Sequence, residues 1–190
     1  MIHDSLAEHR SALILPIELP RALEALRARA DPFAALGVPA HITILFPFLA
    51  RPRLDRSAMA TTTSIVAAER TFAVSLVGVR SWPPRAGDEG TVWLEPRPRA
   101  PLVRLTTALW RAFPMAPPYR GEFDAIVPHL TVADSAGYEA EAVALAADSV
   151  PFRRTATELW LIVEGQGGRW ERAEVFPLGG SRGASVLPRP

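Results

Sequence analysis

The tripeptide His-x-Thr occurs twice in this chain, as His41-Ile42-Thr43 and His129-Leu130-Thr131, 88 residues apart. A proline stands just upstream of each, Pro39 and Pro128, and an alternating apolar run follows each. Only four histidines exist (His3, His9, His41 and His129), and eleven of 190 residues are threonine, so two such coincidences are rare by chance. Strand side chains alternate between faces. His41 and Thr43 therefore share one face, with Ile42, Ile44 and Phe46 on the other. His129 and Thr131 likewise lie opposite Leu130 and Val132. Each strand buries its apolar set and offers one imidazole and one hydroxyl to the far side.

The surrounding pattern repeats too. Residues 11–19 read as a buried strand ended by Pro20. A helix over 20–36 follows, with Leu23, Leu26, Ala30 and Phe33 on one face and Pro32 as a breaker. Then come a strand at 41–48, a helix at 55–69 and strands at 71–82 and 91–95. A second series follows: a helix at 101–113, a strand at 128–135, a helix at 138–149 and strands at 155–164 and 169–176. After the opening strand, each half runs helix, His-strand, helix, strand, strand. The pattern predicts an α+β, bilobal fold with pseudo-two-fold-related lobes, antiparallel sheets, helices outside and a central cleft. The lobes are expected at roughly 11–98 and 99–178 of one domain, with 179–190 a flexible tail.

Composition narrows the chemistry. There is no cysteine, which excludes disulfides, thiolate nucleophiles and cysteine-bearing zinc sites. There is no lysine either, so a Schiff base or a lysyl-adenylate cannot form. The net charge of +1 lacks the broad basic footprint that long duplex nucleic acid requires. The first apolar run is far shorter than the ~20 residues that span a bilayer, and no targeting signal is visible. A cytoplasmic protein without a membrane partner is the default expectation.

If a two-fold axis relates the lobes, two imidazoles and two hydroxyls converge on one cleft. Such a cleft suits a phosphodiester. A neutral histidine can take a proton from water while a protonated one supplies the leaving oxygen, and an imidazole pKa near ~6.5 lets both forms coexist. The threonine hydroxyls can donate to the non-bridging oxygens as their charge grows. The scheme needs neither metal nor cofactor.

AHITILFPF and PHLTVADS resemble the paired motifs of the two-histidine (2H) phosphoesterase superfamily, which includes 2′-5′ RNA ligase-like proteins and cyclic nucleotide phosphodiesterases. The resemblance implies His41 and His129 as the catalytic pair and Thr43 and Thr131 as phosphate binders. It implies hydrolysis of a 2′,3′-cyclic phosphate on a nucleotide or RNA end, and in some members reversible 2′-5′ ligation.

Simpler readings stand beside these. The histidines could be structural strand residues, or could join Asp124 or Asp134 around zinc or iron, although no compact ligand motif supports a metal. Threonine is a good strand former on its own account. Phe46 falls with the core set and Phe48 does not, unless Pro47 breaks the register; either could stack on a base. Tyr119 and Arg120 precede the second His-strand, and Arg120 could clamp a phosphate, making both candidate substrate contacts. Trp93 and Trp160 read as core. A nucleotide- or RNA-end-binding module with little turnover is the rival function.

Overall fold

The computed structural model describes residues 10–179. The N-terminal histidines His3 and His9, and residues 180–190 of the expected tail, lie outside the described residues.

Ser11–Pro16 form β1, and Arg21–Ala30 form α1. The helix expected over 20–36 is two. Asp31 takes an extended conformation (φ −116°, ψ 108°) and its carboxylate accepts from the Phe33 N–H at 2.9 Å, starting α2 (Pro32–Ala35) with Pro32 in its first turn. The break turns Phe33 outward, so it leaves the buried face that Leu23, Leu26 and Ala30 share.

His41–Leu45 form β2. Arg56–Ala68 form α3, capped by Asp55 on the Ala58 N–H at 2.8 Å. Its threonines fit because Thr62 and Thr63 donate to carbonyls four residues back. Phe72–Trp82 and Thr91–Arg97 form β3 and β4. Gly90 closes that hairpin at φ 81°, where a Cβ would sit 2.5 Å from the Trp82 carbonyl oxygen. Ala100–Ala112 form α4, Leu130–Ala133 form β5 and Glu139–Ala146 form α5. The single strand expected at 155–164 is two: β6 (Phe152–Ala156) pairs with β3, whereas β7 (Glu158–Glu164) pairs with β1. Trp170–Pro177 form β8.

Two antiparallel four-stranded sheets result, in the orders β2-β1-β7-β8 and β5-β4-β3-β6. The expected lobe boundaries do not coincide with them. The second sheet is one continuous stretch from β3 to β6, and the first joins strands from both ends of the chain. The helices cross over as well. α1 and α5 pack on the second sheet, against β5 and β3, while α3 and α4 pack on the first, against β8 and β2. One hydrophobic cluster takes in Leu13, Leu15, Ile42 and Ile44 from the first sheet, Leu76, Val92, Leu94, Leu130 and Val132 from the second, and Leu23, Leu26, Leu105 and Leu109 from the helices. A smaller cluster (Ala12, Ile14, Val38, Ile162 and Trp170) lies on the opposite face of the first sheet. Each His-strand edges its own sheet, and β2 and β5 lie against each other.

Candidate active site

A cavity of about 700 Å³ opens between the sheets. His41, Thr43, Tyr119, His129 and Thr131 all line it. Strand parity produces this arrangement. Ile42 and Ile44 are buried, as are Leu130 and Val132, so the alternate residues face the cavity.

The two imidazoles are held alike. His41 Nδ1 lies 2.8 Å from the Pro39 carbonyl oxygen, and His129 Nδ1 lies 2.9 Å from that of Val127. A carbonyl only accepts, so each Nδ1 carries the hydrogen and each neutral ring presents the Nε2 lone pair. The shared device is the carbonyl two residues before each histidine, that of Pro39 or Val127, which orients the ring.

The surroundings then diverge. The Thr43 hydroxyl lies 3.2 Å from His41 Nε2, donating to the lone pair, and the Tyr119 hydroxyl bonds Thr43. His129 is instead walled by aromatic rings: Trp82 edge-on at 4.7 Å between centroids, Trp93 at 6.1 Å, and Tyr119 stacked at 6.2 Å. Among the described residues, no ring surrounds His41 in this way.

A model of the 2′-5′ RNA ligase superfamily matches residues 15–168, nearly the whole described fold. The chain belongs to the 2′-5′ RNA ligase superfamily. Solved structures agree on the fold. TT0787 of Thermus thermophilus is 18% identical, with a TM-score of 0.61 over 90% of this chain and 98% of that one. E. coli LigT complexed with 3′-AMP is 17% identical, with a TM-score of 0.53 over the same shares. Kluyveromyces marxianus Usb1 is 11% identical, with a TM-score of 0.51 over 88% and 97%. Among curated proteins, no sequence matches significantly.

In this superfamily member, burial pushes the His41 imidazole down to about 4 despite the Pro39 hydrogen bond, and the charges of Arg27 and His129 act in the same direction. Burial lowers His129 too, against the Val127 hydrogen bond. Burial raises the Tyr119 phenol, which the Thr43 hydrogen bond only partly offsets.

Arg120 does not join the site. It is exposed and lies outside the cavity lining, because Tyr119 and Arg120 both take left-handed backbone conformations (φ 49° and 57°) that swing successive side chains apart. The Tyr119 N–H donates to the Phe46 carbonyl at 2.6 Å and holds that turn in place. The arginine that lines the cavity is Arg85, on the β3–β4 loop.

The two phenylalanines exchange their expected places. The strand ends at Leu45, so its parity stops there. Phe48 is buried edge-on against Phe113 at 5.0 Å, and Phe46 lines the cavity 6.3 Å from Trp170. Trp93 is buried, but on the cavity side of its sheet, under His129. Trp160 is only partly buried, with the Arg172 guanidinium 4.5 Å over its ring. Sequence reading missed Trp82. Its signal was available: it ends the strand that leads into a loop at the cavity mouth.

Asp124 and Asp134 also line the cavity. Burial raises the Asp134 carboxyl, helped by the charges of Asp31, Asp88 and Glu89. Among the described residues, no group of three or more His, Asp or Glu side chains stands close enough to hold a metal. No helix among them is long and apolar enough to cross a membrane.

Proposed function

We propose that this protein hydrolyses a phosphodiester, a 2′,3′-cyclic phosphate on a nucleotide or RNA end, with His41 as general base and His129 as general acid. The observation that carries this reading is the matched pair of imidazoles, each tied through Nδ1 to a backbone carbonyl and both lining one cavity. His41 Nε2 takes a proton from water as the water oxygen bonds to phosphorus. His129 Nε2 gives a proton to the ribose oxygen as its bond to phosphorus breaks. Thr131 donates to one non-bridging oxygen, and Thr43 donates to another once its hydroxyl turns from His41 Nε2 to the bound phosphate, which frees that lone pair for the water.

The unlike surroundings support these roles. A lone pair that accepts from Thr43 belongs to a neutral ring, as a base requires. The Trp82, Trp93 and Tyr119 rings packed around His129 hold its imidazole in one orientation, as an acid aimed at a single leaving oxygen requires. Phe46, Trp170 and the outward Phe33 supply an apolar wall for a base ring. LigT, of the same fold, was crystallised with 3′-AMP.

The test is incubation with the four nucleoside 2′,3′-cyclic monophosphates, with chelator present. Product that disappears in both His41→Ala and His129→Ala supports the reading. Turnover that survives either change, or requires added metal, overturns it.

A further inference from the structure

The face of the second sheet that carries His129 does not end at the cavity. Strand register extends it. Thr131 on β5 pairs with Trp93 on β4, and Trp93 pairs with Arg80 on β3. Register partners share a face, so Arg80 lies about 10 Å from Thr131, two strand spacings away. Along β4 the same face continues from Trp93 through Glu95 to Arg97, while Val92 and Leu94 point into the core. Arg97 pairs with Ser75, and Ser75 with the exposed Arg153 of β6.

Three guanidiniums gather on one carboxylate there. Arg80 reaches Glu95 at 3.0 Å and Arg99 reaches it at 3.0 Å, and Arg97 pairs with it as well. The Glu95 side chain is 3% exposed, whereas those of Arg80 and Arg97 are each 57% exposed. Burial alone would raise the Glu95 carboxyl, but the arginines outweigh it and hold it low. One negative charge offsets one of three positive charges, so the cluster keeps an excess of two. The buried carboxylate anchors the guanidiniums; Arg80 and Arg97 stay largely exposed, whereas Arg99 Nε is buried without a partner. The cavity's rim is acidic on balance, Asp88, Glu122, Asp124 and Asp134 outnumbering Arg85.

We infer that this arginine face binds the sugar-phosphate backbone of a single-stranded RNA whose terminal phosphodiester sits between the histidines. The inference rests on the function proposed above and adds to it the substrate class. Guanidiniums suit phosphate oxygens because their planar fork donates two parallel hydrogen bonds. The charge asymmetry sets polarity: the chain approaches over Arg97 and Arg80, and the acidic rim turns away any phosphate beyond the cavity. Such a site accepts an end and rejects an interior linkage.

The experiment is equilibrium binding of fluorescein-labelled oligoribonucleotides bearing a 3′-phosphate, from one to six nucleotides, at 50 and 200 mM salt. Affinity should rise with length over the first few nucleotides. Two to three neutralised phosphates should make the hexamer bind about seven- to eighteenfold more weakly at the higher salt. Arg80→Gln and Arg97→Gln, each leaving Glu95 two arginine partners, should bind the hexamer several-fold more weakly while binding the mononucleotide as the unaltered protein does. Equal affinity for one and six nucleotides, or a flat salt dependence, overturns the inference. Hydrolysis of the cyclic mononucleotides, measured in parallel, tests the catalytic reading separately, since binding is read without turnover.

Discussion

Tyr119 joins the two histidines' surroundings, its ring stacked on His129 at 28° between planes while its hydroxyl bonds Thr43, the partner of His41 Nε2. Tyr119→Phe keeps the ring and removes the bond. A hydrogen bond is worth about 1 kcal/mol net, so kcat on a cyclic mononucleotide should fall roughly fivefold. Tyr119→Ala should cost more, because the His129 wall opens too. A phenylalanine variant with unchanged kcat would show that the hydroxyl plays no part in setting His41.

The different roles proposed for the histidines can be separated by the leaving group. A cyclic ribose phosphate expels an alkoxide that needs a proton, whereas p-nitrophenolate does not. His129→Ala should lose about 10²–10⁴-fold on the cyclic phosphate and much less on a nucleoside p-nitrophenyl phosphate. His41→Ala should lose similar activity on both. Rescue of His41→Ala by the activated ester, and not of His129→Ala, would reverse the assignment.

Both lowered imidazole pKa values bear on the pH profile. The active free form needs one histidine neutral and one protonated, so the kcat/KM optimum should lie on the acid side of 6.5. A bound phosphodiester anion favours protonation, so the kcat profile should lie at higher pH. Coincident profiles centred above 7 would contradict this.

Stability follows from the same shift. The unfolded chain protonates its histidine near 6.5 and the folded one, at His41, near 4, so between these values the unfolded state binds more protons. The stability that the neutral, buried His41 contributes is fully present above 6.5 and is lost as pH falls toward 4. Melting temperatures measured from pH 7.5 to 4 should decline over that window, and less steeply in His41→Phe. Parallel declines would assign the acid sensitivity to other groups.

Arg27 and Asp31 form a buried pair at 2.9 Å, their side chains 2% and 5% exposed, and Arg27 also donates to the Val38 carbonyl at 2.9 Å. That contact fixes the segment whose Pro39 carbonyl orients His41. Asp31→Ala leaves the buried guanidinium with only the half-exposed Glu24, 3.8 Å away, as counter-charge and should cost about 3–5 kcal/mol. Urea denaturation checks this, and a midpoint within error of the unaltered protein would refute it.

The His-strands were legible because period-two alternation needs only local sequence: Ile42, Ile44, Leu130 and Val132 announce which way His41 and His129 point. The fold class was legible from the repeated order of elements. The partners of each strand were not. Nothing local tells that the chain changes sheets at Thr157, between the two strands that one apolar run had suggested. Parity also fails where a strand stops, which is why Phe46 and Phe48 traded places. Arg120 looked apt beside Tyr119 in sequence, but two left-handed residues in succession separate neighbours that an extended chain would keep together. Arg85 and Trp82 reach the cavity, and Trp93 the underside of His129, by hairpin and register, relationships that a linear reading does not contain.

The crossed helices have a mechanical consequence. α1 springs from between β1 and β2 yet braces the other sheet, and α4 springs from between β4 and β5 yet braces the first. Neither sheet can swing away from its counterpart without peeling off a helix rooted in the other. The gap between the imidazoles is therefore a rigid gauge. A phosphodiester bound between them, as proposed, meets a gap of fixed width, and adaptation to larger or smaller molecules falls to the loops at its mouth.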